Sequence, residues 1–123
     1  MAKRNPRHSN RAKRDAVVRR VMDEESVCWL CGRPVDMRLR GAQAVNPRTG
    51  RLALHPDAPV VDEVVPVSRG GSPYERSNCR LAHNECNRYR GARMDVDAVR
   101  AELMERRSAR SGPAVRPVRS QEW

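Results

Sequence analysis

Four residues have the types and spacing to hold a soft metal ion. Cys28-x-x-Cys31 is a tight turn whose two sulfurs converge on one point, and His83-x-x-Cys86 offers a nitrogen and a sulfur on one face of a helix. Together they specify a tetrahedral Cys3His site. Three thiolates and an imidazole, with no carboxylate among them, favour Zn2+ over Mg2+ or Ca2+. Cys79 is the remaining cysteine, and using it in place of His83 would need a Cys-x6-Cys spacing that does not fit a knuckle. The competing reading makes Cys79 a buried apolar residue and leaves the others unliganded or redox-paired.

Composition says why such a site is needed. At 123 residues and 14.0 kDa the chain is one small domain, which excludes a multidomain enzyme. Only 38% of residues are hydrophobic and none is phenylalanine, so the core is thin. Small cores rarely supply more than about 3 to 5 kcal/mol, whereas a structural zinc contributes on the order of 10 to 16 kcal/mol of apparent binding energy. No stretch approaches the roughly 18 to 20 apolar residues of a membrane span, and Met-Ala-Lys-Arg-Asn-Pro-Arg lacks the apolar run of a secretion signal. A cytoplasmic protein without a membrane partner is expected, and in a reducing compartment paired cysteines serve metals rather than disulfides.

The formal charge is +10, and its placement is uneven. Residues 1–20 carry Lys3, Arg4, Arg7, Arg11, Lys13, Arg14, Arg19 and Arg20 against Asp15 alone, a net of +7. Residues 21–104 balance twelve arginines with twelve acids, and residues 105–123 add +3. Basic ends on a neutral body suit a phosphate backbone, with Arg4, Arg7, Arg11, Lys13 and Arg14 as the contacts. The plain alternative is a solvated tail of an arginine-rich chain. His8, within that arm, has no assigned role.

The elements that must position these groups follow from pattern and punctuation. Residues 1–10 read as a flexible basic arm, residues 11–108 as the domain, and residues 109–123 as a flexible basic tail. A helix is expected from Asn10 or Arg11 to Glu25, with Ala12, Ala16, Val17, Val18, Val21 and Met22 as a partial apolar stripe. Residues 36–59 hold Gly41, Pro47, Gly50, Pro56 and Pro59 without periodicity and read as a long loop. The β-branched run from Val60 to Val67 predicts a strand, and Ser68 to Pro73 a turn. Leu81 to Arg90 predicts a helix stopped by Gly91, and Asp95 to Arg107 a last helix burying Val96, Val99, Leu103 and Met104.

Between the two halves of the knuckle lies Asp62-Glu63-Val64-Val65-Pro66-Val67-Ser68-Arg69-Gly70-Gly71, followed by Ser77-Asn78 and then Cys86-Asn87-Arg88-Tyr89-Arg90-Gly91. Over residues 28–91 the sequence resembles the HNH endonuclease family, in the small phage-type form with a zinc knuckle. The family pattern is a CxxC, an Asp-His-hydrophobic-hydrophobic-Pro strand, matched here by Asp62-Glu63-Val64-Val65-Pro66 except at Glu63, a Gly-Gly loop, an Asn, and a Cys-Asn helix ending in a basic residue and glycine. The resemblance implies an α+β fold: a ββα-metal (His-Me finger) domain stapled by zinc, with flanking N- and C-terminal helices.

The resemblance also implies roles. Asp62 and Asn87 match the ligands of a catalytic Mg2+ or Mn2+, for which hard oxygen donors are suited. Asn78 matches the middle Asn, which holds the loop that positions the base. Glu63 stands where the family has its base histidine. An unperturbed Glu titrates near 4.3 and a His near 6.5, so Glu63 is the weaker base by about 2 units unless its surroundings raise it. Two further arrangements make Glu63 a cation ligand, or bring in His55 as the base. Arg69, Arg88 and Arg90 are candidate phosphate contacts, while Tyr89 and Trp29 read as packing. The implied function is metal-dependent hydrolysis of DNA phosphodiesters, as endonuclease or nickase, with a phage terminase as a partner. The alternatives are a catalytically degenerate zinc-knuckle DNA-binding module and a protein-interaction module.

Overall fold

The computed structural model describes residues 10–110. Seven regular elements follow in order: α1 (Arg11–Glu24), β1 (Gln43–Val45), β2 (Leu52–Leu54), β3 (Pro59–Glu63), β4 (Cys79–His83), α2 (Asn84–Arg90) and α3 (Val96–Arg110), with 3-10 turns at Met37–Leu39, Val67–Arg69 and Arg76–Asn78. The class is α+β: among the described residues there are three helices and two separate antiparallel hairpins, β1–β2 and β3–β4. No helix among the described residues is long and apolar enough to cross a membrane.

The β3–β4 hairpin is the centre, with Pro59 opposite His83 and Glu63 opposite Cys79. Leu81 and Ala82 are buried, and α1 covers the sheet with Val17 and Val21. Ala12 and Ala16 of the expected stripe are exposed, so only two residues of α1 reach full burial. The outer edge of β4 is sealed by the chain before and within the knuckle. The Leu81 N–H donates to Glu25 Oε1 (3.1 Å), and the Leu81 carbonyl accepts from the Trp29 N–H (2.9 Å). An edge strand whose polar groups are filled cannot recruit another strand. α3 closes the remaining side with Val99 and Leu103, while Met104 lies 43% exposed, contrary to its expected burial.

Three sequence-based boundaries change. Leu81 to His83, expected to begin a helix, belong instead to β4, because pairing with β3 satisfies their backbone and outweighs helical composition. His83 therefore ends a strand, and α2 starts at Asn84. The strand expected to reach Val67 ends at Glu63, where the Asn78 side chain takes over the pairing by bonding both N–H and carbonyl of Val65. The expected loop over 36–59 contains the β1–β2 hairpin, whose turn is set by Asn46 Oδ1 accepting from the Arg48 N–H and by Gly50 at φ 72°. The chain returning from that hairpin caps α2: the N–H groups of Asn84 and Glu85 donate to the carbonyls of Ala58 and Pro56.

Candidate metal centre and adjoining cleft

The knuckle is built by local backbone bonds. The Cys28 N–H donates to the Arg33 carbonyl and the Gly32 N–H to the Cys28 carbonyl, each at 2.9 Å, with Gly32 at φ 77° to turn the chain after the second cysteine. Cys28, Cys31, His83 and Cys86 are all buried, and their ligand atoms lie within 4.8 Å of one another. A tetrahedral zinc with ordinary Zn–S and Zn–N bonds needs ligand-to-ligand edges of about 3.5 to 3.8 Å. The Cys31 Sγ to His83 Nδ1 and Cys86 Sγ to His83 Nδ1 distances are 3.4 and 3.8 Å, so these two edges are close to those of a tetrahedral zinc shell.

The tautomer fits as well. His83 Nε2 lies 3.1 Å from the Pro34 carbonyl, which can only accept, so Nε2 carries the proton and Nδ1 points a lone pair at the thiols. Burial works against a charged His83, yet the Cys28 and Cys31 sulfurs beside it carry its pKa up to about 9. Hydrogen bonds from Cys31 and Cys86 hold the Cys28 thiol far below its ordinary value. A metal entering this cluster has to displace protons. The cluster can hold a metal such as zinc. Cys79 is buried elsewhere, its sulfur facing Arg14 and the Pro73 carbonyl.

On α2, Cys86 faces the cluster and its neighbour Asn87 lines a cleft of about 530 Å³, shared with Asp62, Glu63, Val67 and Ser68. Asp62 and Glu63 are both buried, and each has a cationic partner. Asp62 Oδ2 accepts from Trp29 Nε1 and from Arg90 Nη1, both at 3.0 Å, and Oδ1 has no partner among the described residues. Burial pushes the Asp62 carboxyl above the usual Asp range against the pull of Arg90 and Trp29. Glu63 Oε2 lies 3.1 Å from Arg14 Nη2. The Asn87 side chain makes no hydrogen bond among the described residues.

The other residues singled out in the sequence are spread more widely. Asn78 stands behind the cleft: its side chain bonds Val65 twice and the Ser72 carbonyl, tying the 64–72 loop. Gly71 is the tight point of that loop, where an added Cβ would lie 1.7 Å from the Val65 carbonyl oxygen. His55 is half-buried and accepts from the Asp57 N–H, outside the cleft lining. Arg88 and Arg69 are exposed, with Arg69 Nε donating to the Ala92 carbonyl. Arg11 and Lys13 are exposed on α1, and Arg4 and Arg7 lie outside the described residues.

Two candidate phosphate contacts are turned inward instead. Arg90 is fully buried, holding Asp62 and the carbonyls of Glu63, Val64 and Arg93, so none of its guanidinium is left at the surface. Arg14 crosses from α1 to the hairpin and bonds the carbonyls of Pro73 and Val61 as well as Glu63. Sequence reasoning missed both roles, and it missed the Trp29 indole as a donor to Asp62. The available signal was an excess of arginine around two acids that end a buried strand. Comparisons with protein-family models, with curated proteins and with solved structures returned no match.

Proposed function

We propose that this chain is a metal-dependent DNA endonuclease or nickase of the HNH type, with zinc in the Cys3His cluster as a structural brace and a catalytic divalent cation in the adjoining cleft. The observation that carries the reading is the convergence of Asp62 and Glu63, at the end of β3, with Asn87 of α2 on one open cleft. The order β3, β4, α2 supports it, since a ββα-metal site needs a hairpin and a following helix. The donor set suits a hard cation: Asp62 Oδ1 and the Asn87 amide oxygen are oxygen atoms without competing partners among the described residues.

Mg2+ or Mn2+ held there would neutralise charge developing on the phosphodiester and on the leaving 3′ oxygen. Trp29 and Arg90 fix Asp62 Oδ2, and Oδ1, without a partner among the described residues, is the oxygen that would hold the cation. Glu63 takes the proton of the attacking water, with Arg14 holding its carboxylate. Asn78 fixes the loop that carries the rim residues Val67 and Ser68. Exposed Arg88 and Arg69 meet the flanking phosphates, and terminal basic residues add sequence-independent attraction.

A second reading, a DNA-binding module without cleavage, is favoured by the Arg14–Glu63 ion pair, which engages the carboxylate meant to act as base. Relaxation of supercoiled plasmid separates the two. The nuclease reading expects nicking that needs Mg2+ or Mn2+, falls about 100-fold or more in Glu63→Gln, and persists in Glu63→His. DNA binding without nicking under either cation would favour the module.

A further inference from the structure

The body of the molecule balances its charge as a whole but not locally. From Met37 to Pro56 the chain carries four arginines and no Asp or Glu, and the fold gathers this stretch into the β1–β2 hairpin and the turn before it. Elsewhere several arginines are answered by acids: Arg76 and Arg80 by Glu25, Arg90 by Asp62, Arg107 by Asp57 and Glu85. In the hairpin region only Arg38 is paired, with Asp36. Arg40, Arg48 and Arg51 are exposed and have no side-chain hydrogen bond or ion pair among the described residues.

The same hairpin shows two apolar side chains to water. Val45 and Leu52 are cross-strand partners, and at 62% and 65% they are the most exposed large hydrophobics among the described residues. A groove of about 180 Å³ runs beside Ala44, Ala53, Pro56 and Arg88. Arg88 is the residue after Asn87, so an exposed basic surface continues from the cleft helix to the hairpin.

This combination discriminates among ligands. Two apolar side chains fall far short of the roughly 20 to 30 residues a side of a stable protein interface. The hairpin has no aromatic residue on which unpaired bases could stack, which disfavours single strands. An aliphatic wedge flanked by arginines matches a duplex minor groove, where Leu-type side chains press between base steps and guanidinium groups meet the concentrated negative potential.

We propose that the β1–β2 hairpin is a second duplex-DNA contact, in which Arg40, Arg48 and Arg51 engage phosphates and the Val45–Leu52 pair presses into the minor groove. It rests on the nuclease reading for the identity of the ligand but uses none of the cleft residues. The test is fluorescence anisotropy of the full-length, zinc-loaded protein on a labelled duplex, without added Mg2+ or Mn2+, between about 50 and 200 mM salt. Arg40→Gln/Arg48→Gln/Arg51→Gln is expected to reduce the log–log salt slope by about 2.7, three phosphates at about 0.9 each. Val45→Ser/Leu52→Ser is expected to keep the slope, bind about tenfold more weakly, and lose the 2-aminopurine fluorescence rise that reports an unstacked step. Both variants should retain wild-type zinc content and melting, since the altered side chains are exposed. An unchanged slope and affinity in the triple variant would overturn the proposal, as would a Val45→Ser/Leu52→Ser effect on oligomeric state instead of DNA binding. Hairpin-dependent binding without cleavage would remove the nuclease reading alone, whereas cleavage with hairpin-independent binding would remove the hairpin proposal alone.

Discussion

Asp62 and Glu63 are neighbours in sequence, yet different elements hold them: Arg90 and Trp29 the first, Arg14 from α1 the second. The acids themselves were legible in the sequence from their place before a hydrophobic pair and proline. Their partners were not, because an arginine at position 90 reads the same whether its guanidinium faces solvent or a buried carboxylate. The distinction can be measured. Arg90→Met leaves a buried carboxylate unpaired and is expected to destabilise the fold by about 3 to 5 kcal/mol in urea melts near pH 8. The sign of the pH effect follows from Asp62. Burial raises its folded pKa above the ordinary Asp value of 3.8, so its stabilising contribution is full below that value and lost as pH rises through the raised one. Removing Arg90 takes away an influence that lowers that pKa and so raises it further. The difference between Arg90→Met and wild type should therefore shrink when both are melted near pH 5 instead of pH 8; an equal loss at the two pH values would refute the pairing. At the loop, Gly71→Ala drives a Cβ to 1.7 Å from the Val65 oxygen and should destabilise more than Gly70→Ala, whose Cβ meets open space although Gly70 sits at φ 93°. Paired urea melts rank the two.

Among the elements, the knuckle and α1 were the most legible, because Cys-x-x-Cys spacing and an apolar stripe are local signals. β4 was hidden: Cys79 to His83 acquires its strand state from β3, a partner some twenty residues away whose pairing no local window contains. The β1–β2 hairpin escaped for a different reason, since three residues per strand carry too little alternation to stand out. The elements also couple the metal to the cleft. Trp29 follows Cys28 in the knuckle and donates to Asp62, so folding of the Cys3His cluster sets the acid in place. Cys28→Ser is expected to lose bound zinc and most of the folded signal, whereas Cys79→Ser keeps stoichiometric zinc; metal content and circular dichroism check both. With Trp123→Phe leaving Trp29 as the sole indole, zinc removal should shift its emission to the red as the ring leaves the core. Protons compete for the same ligands, with His83 carried up to about 9 in the metal-free cluster, so zinc affinity should fall steadily as pH is lowered. A flat affinity between about pH 6 and 8 would contradict the assigned ligands.

For the molecule as a whole, the net charge of +10 is a poor guide to where DNA would lie. Arg14 and Arg90 spend their charge inside and the cleft acids are paired, while among the described residues exposed cations without an acidic partner include Arg11 and Lys13 on α1, Arg69 in the loop after β3, Arg88 on α2, Arg106 on α3, and Arg40, Arg48 and Arg51 in and before the β1–β2 hairpin. Deleting residues 1–10 removes Lys3, Arg4 and Arg7 and should flatten the salt dependence of DNA binding by up to about 2.7 in log–log slope without lowering cleavage at saturating DNA. Within the cleft, Asn87 can be altered with the least disturbance, because its side chain makes no hydrogen bond among the described residues. The deciding measurement is the rate of Mn2+-supported plasmid relaxation by Asn87→Ala beside wild type, with zinc content and melting shown to be equal. The variant is expected to be slower by about 100-fold or more while binding DNA as wild type does. Equal rates, or a wild type that never cuts, would contradict the nuclease reading.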